Sequence, residues 1–343
     1  MKKVKFDKIH KILVIKPAAI GDVLLSTPVM ENLRYRFPDA EINFLTQKYC
    51  KEALTGNPFI SRILTYNLEW DSGWFIIKKI RKQRYDMVID LFCNPRTAMI
   101  TFLSKARYKV GFRFRGRSYA YNIKIKRRSN EVHNVDFNLD ALRILGLEII
   151  SSVPKYYINE IHREFADNFF IENNLNGSTV IGINPAGTWP TKVWYPEKFS
   201  ELINSFDDGY NFVLFWGNES EKKIADKIKN DSKKKVVLIP AVNLKYMGAI
   251  AEKCNVFLTN DTGPMHIASA LGVNVVAIFG PTNPKLQGPL NSNSIVVRNE
   301  SLECLGCNLT RIEDCRYQHK CMRELSVISV RTAILSLLKS ISL

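Results

Sequence analysis

Short apolar runs alternate with amphipathic stretches along the whole chain. Compact runs of Val, Ile, Leu and Phe are typical of buried strands, whereas apolar residues at spacings of three and four indicate helices. In the first half these patterns predict strands at 11–16, 41–46, 62–66, 87–90 and 109–111, and helices that begin near residues 22, 47, 71 and 94, with another at 134–145. In the second half they predict strands at 179–184, 211–216, 236–239, 256–259 and 273–279, and helices from 196, at 219–229 and at 329–338.

This alternation predicts an α/β fold with parallel strands and crossover helices. A chain of 343 residues is long enough for two domains that each bury a core. The linker is expected at 146–161, and we predict one domain over 1–155, a second over 156–325 and a final helix within 326–343. Neither an apolar run long enough to span a membrane nor a signal-peptide pattern is present, which indicates a cytoplasmic protein.

Two segments combine a strand, a glycine turn and a helix. In the segment 256–272 a buried strand leads to Asp261, Thr262 and Gly263, with His266 in the first turns of the following helix. The first amides of a helix attract anions, and Gly263 allows a ligand to approach the main chain. The alternative is an ordinary helix, capped by Asp261 or Thr262, with one surface histidine. The segment 11–33 repeats the pattern around Asp22.

Four motifs occur in one order along the chain: Ile20-Gly-Asp-Val-Leu24, the loop 184–192 that ends at Lys192, Asn260-Asp-Thr-Gly-Pro-Met-His266, and Phe279-Gly-Pro-Thr-Asn-Pro284. With these motifs the chain resembles the ADP-heptose:lipopolysaccharide heptosyltransferases, a glycosyltransferase family. The resemblance implies a GT-B fold, in which two Rossmann-like doubly wound domains face a central cleft. It also implies an N-terminal acceptor domain, a C-terminal nucleotide-sugar domain and a final helix that packs back on the N-terminal domain.

A glycosyl transfer needs a base for the acceptor hydroxyl and positive groups for the departing diphosphate. Asp22 follows the first strand, where open sheets bind ligands, and the resemblance makes it the base; the alternative is a helix N-cap. Lys192 matches the family's phosphate-binding lysine, the alternative being a solvated lysine, and Thr188 in the same loop is expected to donate a hydrogen bond to the diphosphate.

Further residues are expected at the donor. Asp261 is predicted to bind sugar hydroxyls, and Thr262, Gly263 and His266 to face the phosphates. Glu219 or Glu221 follows a strand at the position of a ribose-binding acid, and the pattern does not distinguish the two. Thr282 lies in a turn near the donor, although plain turn chemistry explains that segment equally well.

The net charge of +16 is unevenly distributed. Between residues 78 and 128 there are sixteen Lys or Arg but only two acids, and aromatic residues are interleaved with the basic ones. Such a segment suits a polyanion, either nucleic acid or a phosphorylated glycolipid at a membrane surface, and the alternative is a solvated basic face. Because the resemblance places the acceptor in this half, we prefer the lipid and expect no nucleic acid partner. The acceptor-binding candidates are Arg113, Arg115, Arg117 and Lys124.

Some absent motifs limit the chemistry. No Asp-x-Asp pair is present to hold a divalent ion on a diphosphate, so the reaction is predicted to need no metal or other cofactor. Cys304, Cys307, Cys315 and Cys321 lie within eighteen residues and suggest a structural zinc site, with His319 as a substitute ligand. Reduced thiols and a conditional disulfide are the alternatives.

Taken with the resemblance, these patterns predict an inverting, metal-independent transferase with Asp22 as general base. The expected donor is ADP-heptose and the expected acceptor is the inner core of lipopolysaccharide at the cytoplasmic face of the inner membrane. A transferase with another nucleotide sugar or acceptor, a nucleic-acid-binding module and a nucleotide-sugar epimerase are the competing interpretations.

Overall fold

The structure, a computed structural model, describes residues 5–67, 73–128 and 131–341. The chain divides into two compact units, Met1–Tyr157 and Ile158–Leu343, next to the predicted boundary at 155. In the described residues each unit contains one sheet of six parallel strands with helices on its faces. The predicted α/β fold with two Rossmann-like units is therefore confirmed. Within these ranges no helix has the length and hydropathy that crossing a membrane requires.

The first unit forms a sheet of order β3-β2-β1-β4-β5-β6. Its strands are β1 (Lys11–Ile15), β2 (Glu41–Gln47), β3 (Arg62–Tyr66), β4 (Met87–Asp90), β5 (Tyr108–Phe112) and β6 (Ile123–Ile125). Its helices are α1 (Ile20–Leu24), α2 (Thr27–Arg36), α3 (Lys51–Leu54), α4 (Gly73–Gln83), α5 (Pro95–Leu103) and α6 (Asn134–Arg143). Successive residues of β1 point to opposite faces, so that Ile12 and Val14 fill one core while Leu13 and Ile15 fill the other. A strand buried on both faces is apolar along its buried length, as β1 is from Ile12 to Ile15.

The second unit repeats this topology with the order β12-β11-β10-β7-β8-β9. Its strands are β7 (Thr179–Asn184), β8 (Tyr210–Leu214), β9 (Val236–Leu238), β10 (Val256–Asn260), β11 (Val275–Ile278) and β12 (Ser294–Val297). Its helices are α7 (Glu160–Glu172), α8 (Pro196–Asn204), α9 (Glu219–Asp231), α10 (Leu244–Glu252), α11 (Gly263–Ala270), α12 (Pro284–Gln287), α13 (Lys320–Arg323) and α14 (Val327–Ile341). In each sheet the first strand of the unit lies beside the fourth, so the strand order reverses there, at the point where open α/β sheets bind ligands.

All ten predicted strands are present, with no end shifted by more than two residues. The sequence patterns missed β6 and β12, because both are edge strands of only three and four residues and therefore lack a long apolar run. The helix expected near residue 22 is divided into α1 and α2, and the one expected near 47 begins with a 3₁₀ turn before α3. The helix start expected at 71 lies outside the described residues. Helices α7, α10, α12 and α13 were not predicted.

The final helix is built into the second unit. Helix α14 contacts α8, β10, β11 and β12, and Val330, Ile334 and Leu337 are buried in the core beneath it. These side chains follow the spacing i, i+4, i+7 and so form a single apolar stripe. The helix therefore buries its stripe against the second sheet, and the expected packing on the first domain stays a prediction.

Candidate active site

The reversal of strand order in the second unit lies between β7 and β10, and two asparagines link the loops that follow these strands. Asn260, the last residue of β10, donates from its side-chain amide to the Pro185 carbonyl at 2.9 Å and accepts from the Trp194 backbone N–H at 3.1 Å. Asn184, the last residue of β7, donates to the Thr262 hydroxyl at 3.2 Å. These buried bonds hold the loop that carries Lys192 against the start of α11.

Lys192 and Asp261 meet at this point. Lys192 Nζ lies 2.7 Å from Asp261 Oδ2, and the two side chains are only 15% and 4% exposed. The same carboxylate oxygen accepts from the Thr282 hydroxyl at 2.8 Å and from the Gln287 amide at 2.7 Å. The Lys192 ammonium also lies 4.4 Å from the ring centroid of Trp189. The result is a partly buried cation with a carboxylate on one side and an aromatic face on the other.

The start of α11 lies beside this pair. Thr262 is the N-cap residue, but its side chain makes no capping bond, and the Asp261 carboxylate binds Lys192, Thr282 and Gln287 instead. The expectation of a side-chain cap is therefore wrong. A Cβ atom on Gly187 would lie 3.1 Å from the Thr262 methyl carbon, so the loop after β7 approaches the helix as closely as a glycine allows. His266 is buried rather than on the surface, so the alternative of a surface histidine is also wrong.

The other donor candidates lie at the same edge of the sheet. Thr188 is exposed in the loop after β7. Glu219 and Glu221 occupy the first turn of α9, which follows β8, the strand next to β7. Glu221 accepts from the Gly217 backbone N–H at 2.8 Å, whereas Glu219 is exposed. The sheet order thus explains why residues from four separate segments gather at one edge.

In the first unit the strand order reverses between β1 and β4, and Asp22 follows β1. It is the third residue of α1 and accepts from the Ala19 backbone N–H at 3.2 Å, so it supports the start of the helix without being its N-cap. Its side chain is half-buried. A carboxylate with one weak backbone bond and access to solvent keeps lone pairs for a ligand hydroxyl.

A second carboxylate at this edge was not singled out from the sequence. Asp90 ends β4, is fully buried and accepts from the Phe92 and Cys93 backbone N–H groups and from the Tyr121 hydroxyl, at 2.8–3.0 Å. Burial raises the pKa of the Asp90 carboxyl despite these bonds. Its last position in an apolar strand is the only signal that the sequence offers.

The basic residues after β5 surround a cavity of about 760 Å³. Arg113, Arg115 and Lys124 line it together with Lys126. Arg117 does not line the cavity but lies over the ring of Phe114, which does. A concave site with four cations suits a multiply charged anion.

Comparison with known proteins identifies the family. The model of glycosyltransferase family 9 (heptosyltransferase) matches residues 74–317, which is more than half of the chain. The chain belongs to glycosyltransferase family 9. It is also similar to lipooligosaccharide heptosyltransferase 2 of Haemophilus influenzae, at 25% identity over 312 residues that cover 84% of this chain and 88% of the relative.

Two solved structures share the fold. The family 9 glycosyl transferase from Veillonella parvula has a TM-score of 0.85 at 25% identity, and the match covers 98% of each chain. The ADP-heptose lps heptosyltransferase II of E. coli has a TM-score of 0.77 at 22% identity, and the match covers 97% of this chain and 100% of that one. The predicted GT-B class is therefore confirmed, and this family 9 protein is a glycosyltransferase.

Two residues that support the family 9 site were not assigned this role from the sequence. Gln287 reaches Asp261 from α12, and no motif points to it. His319 is buried, and its Nε2 lies 2.7 Å from the Thr191 carbonyl oxygen while Nδ1 lies 3.2 Å from the Tyr195 hydroxyl. Because a carbonyl only accepts, Nε2 carries the proton. His319 thus holds the backbone next to Lys192, and it is not a free metal ligand.

The four clustered cysteines of the transferase lie near one another. Burial and the neighbouring thiols of Cys304, Cys307 and Cys315 raise the pKa of the Cys321 thiol to about 11. In the described part of the chain, however, no three His, Cys, Asp or Glu side chains are grouped so that they could hold a metal ion. The structure therefore gives the zinc prediction no geometric support.

Proposed function

We propose that this family 9 glycosyltransferase moves a heptose from ADP-heptose to the inner core of lipopolysaccharide, in a metal-independent reaction that inverts the anomeric carbon. The observation that carries the proposal is the pairing of Lys192 with Asp261 beside the start of α11. The names of the relatives, a lipooligosaccharide heptosyltransferase and an ADP-heptose lps heptosyltransferase, support the donor and the acceptor.

In the proposed donor complex, the diphosphate binds over the first turn of α11. The amides near Gly263 and the partial positive charge of the helix end would stabilise it, with Thr188 and the Lys192 ammonium as further donors and His266 beneath them. Asp261 would accept hydrogen bonds from the heptose hydroxyls, and these bonds would replace part of its interaction with Lys192. Thr282 and Gln287 would keep the carboxylate oriented. Glu219, which is exposed, or Glu221 would accept from the ribose.

The proposed reaction is a direct displacement. The acceptor hydroxyl oxygen attacks the anomeric carbon, its proton passes to Asp22, and the bond from the anomeric carbon to the diphosphate oxygen breaks. The negative charge that grows on ADP is stabilised by Lys192 and the helix end, which takes the place of a metal ion. Attack from the side opposite the leaving group inverts the configuration.

The acceptor would bind in the first unit. The cavity lined by Arg113, Arg115 and Lys124 offers cations to the carboxylates and phosphates of an inner core, and Arg117 supports its wall through Phe114. Such an acceptor is membrane-borne, so we propose that the protein works at the cytoplasmic face of the inner membrane. The clustered positive charge of the first unit can bind this glycolipid, so no nucleic acid partner is needed to explain it.

The test is the release of ADP from ADP-heptose in EDTA, with and without delipidated inner-core acceptor. Asp22→Asn is the decisive variant, because the amide oxygen still accepts from the Ala19 N–H but has no basicity. We expect acceptor-dependent release that survives EDTA and falls at least about 100-fold in the variant. Asp226→Asn, at another half-buried helical aspartate, is the matched control and should behave as wild type.

Two outcomes would refute parts of this proposal. Activity that disappears in EDTA and returns with a divalent ion would exclude the metal-independent mechanism. Turnover with another nucleotide sugar but not with ADP-heptose would assign the chain to a different donor within the family. Product analysis by NMR reads the anomeric configuration directly.

A further inference from the structure

Helix α4 presents aromatic and basic side chains to solvent. Trp74 is 64% exposed and Phe75 is 58% exposed, whereas Ile76, Ile77 and Ile80 on the opposite face are buried in the core. Lys78 and Lys79 follow the two aromatic residues at a spacing of four, and Lys82 follows one turn later. A side chain and the one four residues later lie on the same helix face, so each exposed ring shares its face with a lysine.

The neighbouring helix extends this surface. Helices α4 and α5 contact each other, and buried residues of both belong to one core cluster on the same face of the sheet, among them Ile77 and Ile100. Their outer sides therefore face the same way. Met99 and Phe102 are exposed on α5, and the Phe102 ring packs edge-on against the exposed Tyr119 at 5.4 Å. The α4–α5 surface consists of Trp74, Phe75, Lys78, Lys79, Lys82, Met99, Phe102 and Tyr119.

Among the described residues, no carboxylate neutralises the positive charge of this surface. No described carboxylate pairs with Lys78, Lys79 or Lys82. The acids within residues 73–128 are Asp86 and Asp90. Asp86 accepts from the backbone N–H groups of His10 and Lys11, and Asp90 is buried. Within the described part of the chain, therefore, no carboxylate competes with an external anion for these lysines.

We propose that the α4–α5 surface docks this protein on an anionic lipid bilayer, with the rings at the level of the headgroups and the lysines on the lipid phosphates. Exposed aromatic side chains beside lysines on one helix face are typical of peripheral membrane attachment, because the rings gain from the interface while the charges stay hydrated. The attachment is shallow, since the opposite face of α4 is committed to the core. The inference rests on the proposed function only in taking the acceptor as lipid-borne.

The charge pattern decides between a membrane and a protein partner. A protein interface of this kind would place apolar groups at its centre and exclude charges from it. Here Trp74 and Phe75 each share a helix face with the lysine four residues later, and Lys109 lies 5.6 Å from the ring centroid of Phe102. Interleaved rings and cations suit a bilayer surface, where both apolar and anionic groups are available at the same depth.

The test uses the full chain and vesicles that contain neither donor nor acceptor. Flotation with phosphatidylethanolamine–phosphatidylglycerol vesicles should recover the wild type, with binding that weakens as salt rises, and phosphatidylcholine vesicles should recover little. Replacing Lys78, Lys79 and Lys82 by Gln should weaken partitioning about 100-fold, from about fivefold per lysine. Trp74→Ser with Phe75→Ser should weaken it at least about tenfold.

Two control variants match these changes in the second unit. Ile161 and Ile171 on α7 are 62% and 58% exposed, so replacing both by Ser also removes two exposed apolar side chains. Replacing the exposed Lys223, Lys229 and Lys233 by Gln removes the same charge. Both controls should float like the wild type, and thermal melting should show that all variants are folded.

Activity separates this inference from the proposed function. The Trp74/Phe75 double variant should keep wild-type turnover with delipidated acceptor and lose efficiency with acceptor in vesicles. Because the vesicle assay needs no chemistry, membrane docking and heptosyl transfer can fail independently. The inference is overturned if the α4–α5 variants float as well as the wild type, or if the control variants lose vesicle binding equally. It is also overturned if the substitutions leave flotation unchanged and abolish self-association of the protein.

Discussion

Replacing Lys192 should destabilise the protein more than replacing Asp261, although the two residues form one ion pair. Lys192→Met leaves a carboxylate that is only 4% exposed without its counter-charge, with Thr282 and Gln287 as the remaining donors. Asp261→Asn leaves an ammonium that is 15% exposed and still lies over the Trp189 ring. The two single changes therefore remove the same contact but differ in the charge that remains buried.

The expected magnitudes follow from this difference. An uncompensated buried charge costs about 3–5 kcal/mol, and the residual exposure favours the lower end for Lys192→Met. Asp261→Asn should cost about 1 kcal/mol, because the amide oxygen still accepts hydrogen bonds and the lysine keeps partial hydration. For a unit of this size about 1 kcal/mol lowers Tm by roughly 2–4 °C, so Lys192→Met should lower it by about 6–12 °C.

The assay is thermal melting of the wild type, both single variants and the double variant. The double variant should be more stable than Lys192→Met alone, since it removes the stranded carboxylate. Lys222→Met is the matched control, because Lys222 also lies over an indole ring, that of Trp216, but has no carboxylate partner in the described residues. Its Tm should change by less than about 2 °C.

The reasoning is refuted if Asp261→Asn destabilises the protein as much as Lys192→Met, or if the double variant is the least stable of the set. In the proposed reaction Lys192→Met also lowers kcat/KM about 100- to 1,000-fold, since it removes a charge that faces the leaving group. That loss should persist at temperatures where the variant is fully folded.

Three other changes test separate parts of the structure. Gly182→Ala should lower stability by about 1–3 kcal/mol in a melting experiment, because its Cβ would lie 2.9 Å from both the Cys254 sulfur and the Phe257 ring. Asp90→Asn should flatten the pH dependence of the unfolding free energy. Because the pKa of Asp90 is raised in the folded state, its contribution to stability is full below about pH 4 and declines as the pH rises through the folded pKa. An amide cannot ionise, so the variant lacks this decline. His319→Ala should raise the KM for the donor about tenfold with a smaller change in kcat, and His319→Gln, which restores a donor to the Thr191 carbonyl, should recover most of it.

Much of the fold was accessible from local patterns. The strands β1, β4, β7 and β10 are apolar on both faces, and each is short enough to stand out between amphipathic helices. The candidate residues Asp22, Lys192 and Asp261 were likewise visible, because each follows one of these strands within a glycine-containing motif. The edge strands were the main elements that the sequence patterns did not predict. Strand β6, for example, alternates buried and exposed residues over only three positions.

The sequence alone therefore determined the alternation of strands and helices, the two-unit organisation and the positions after β1, β7 and β10 where chemistry was expected, because those signals are local. Only the tertiary structure decided that Gln287 and Thr282 bind the carboxylate that pairs with Lys192, that His319 holds the Thr191 carbonyl, and that α14 completes the second core. These contacts join separate segments of the chain: the polar ones form because the order of the parallel strands brings their carboxyl ends to one edge of the sheet, and α14 packs on the sheet through its apolar stripe.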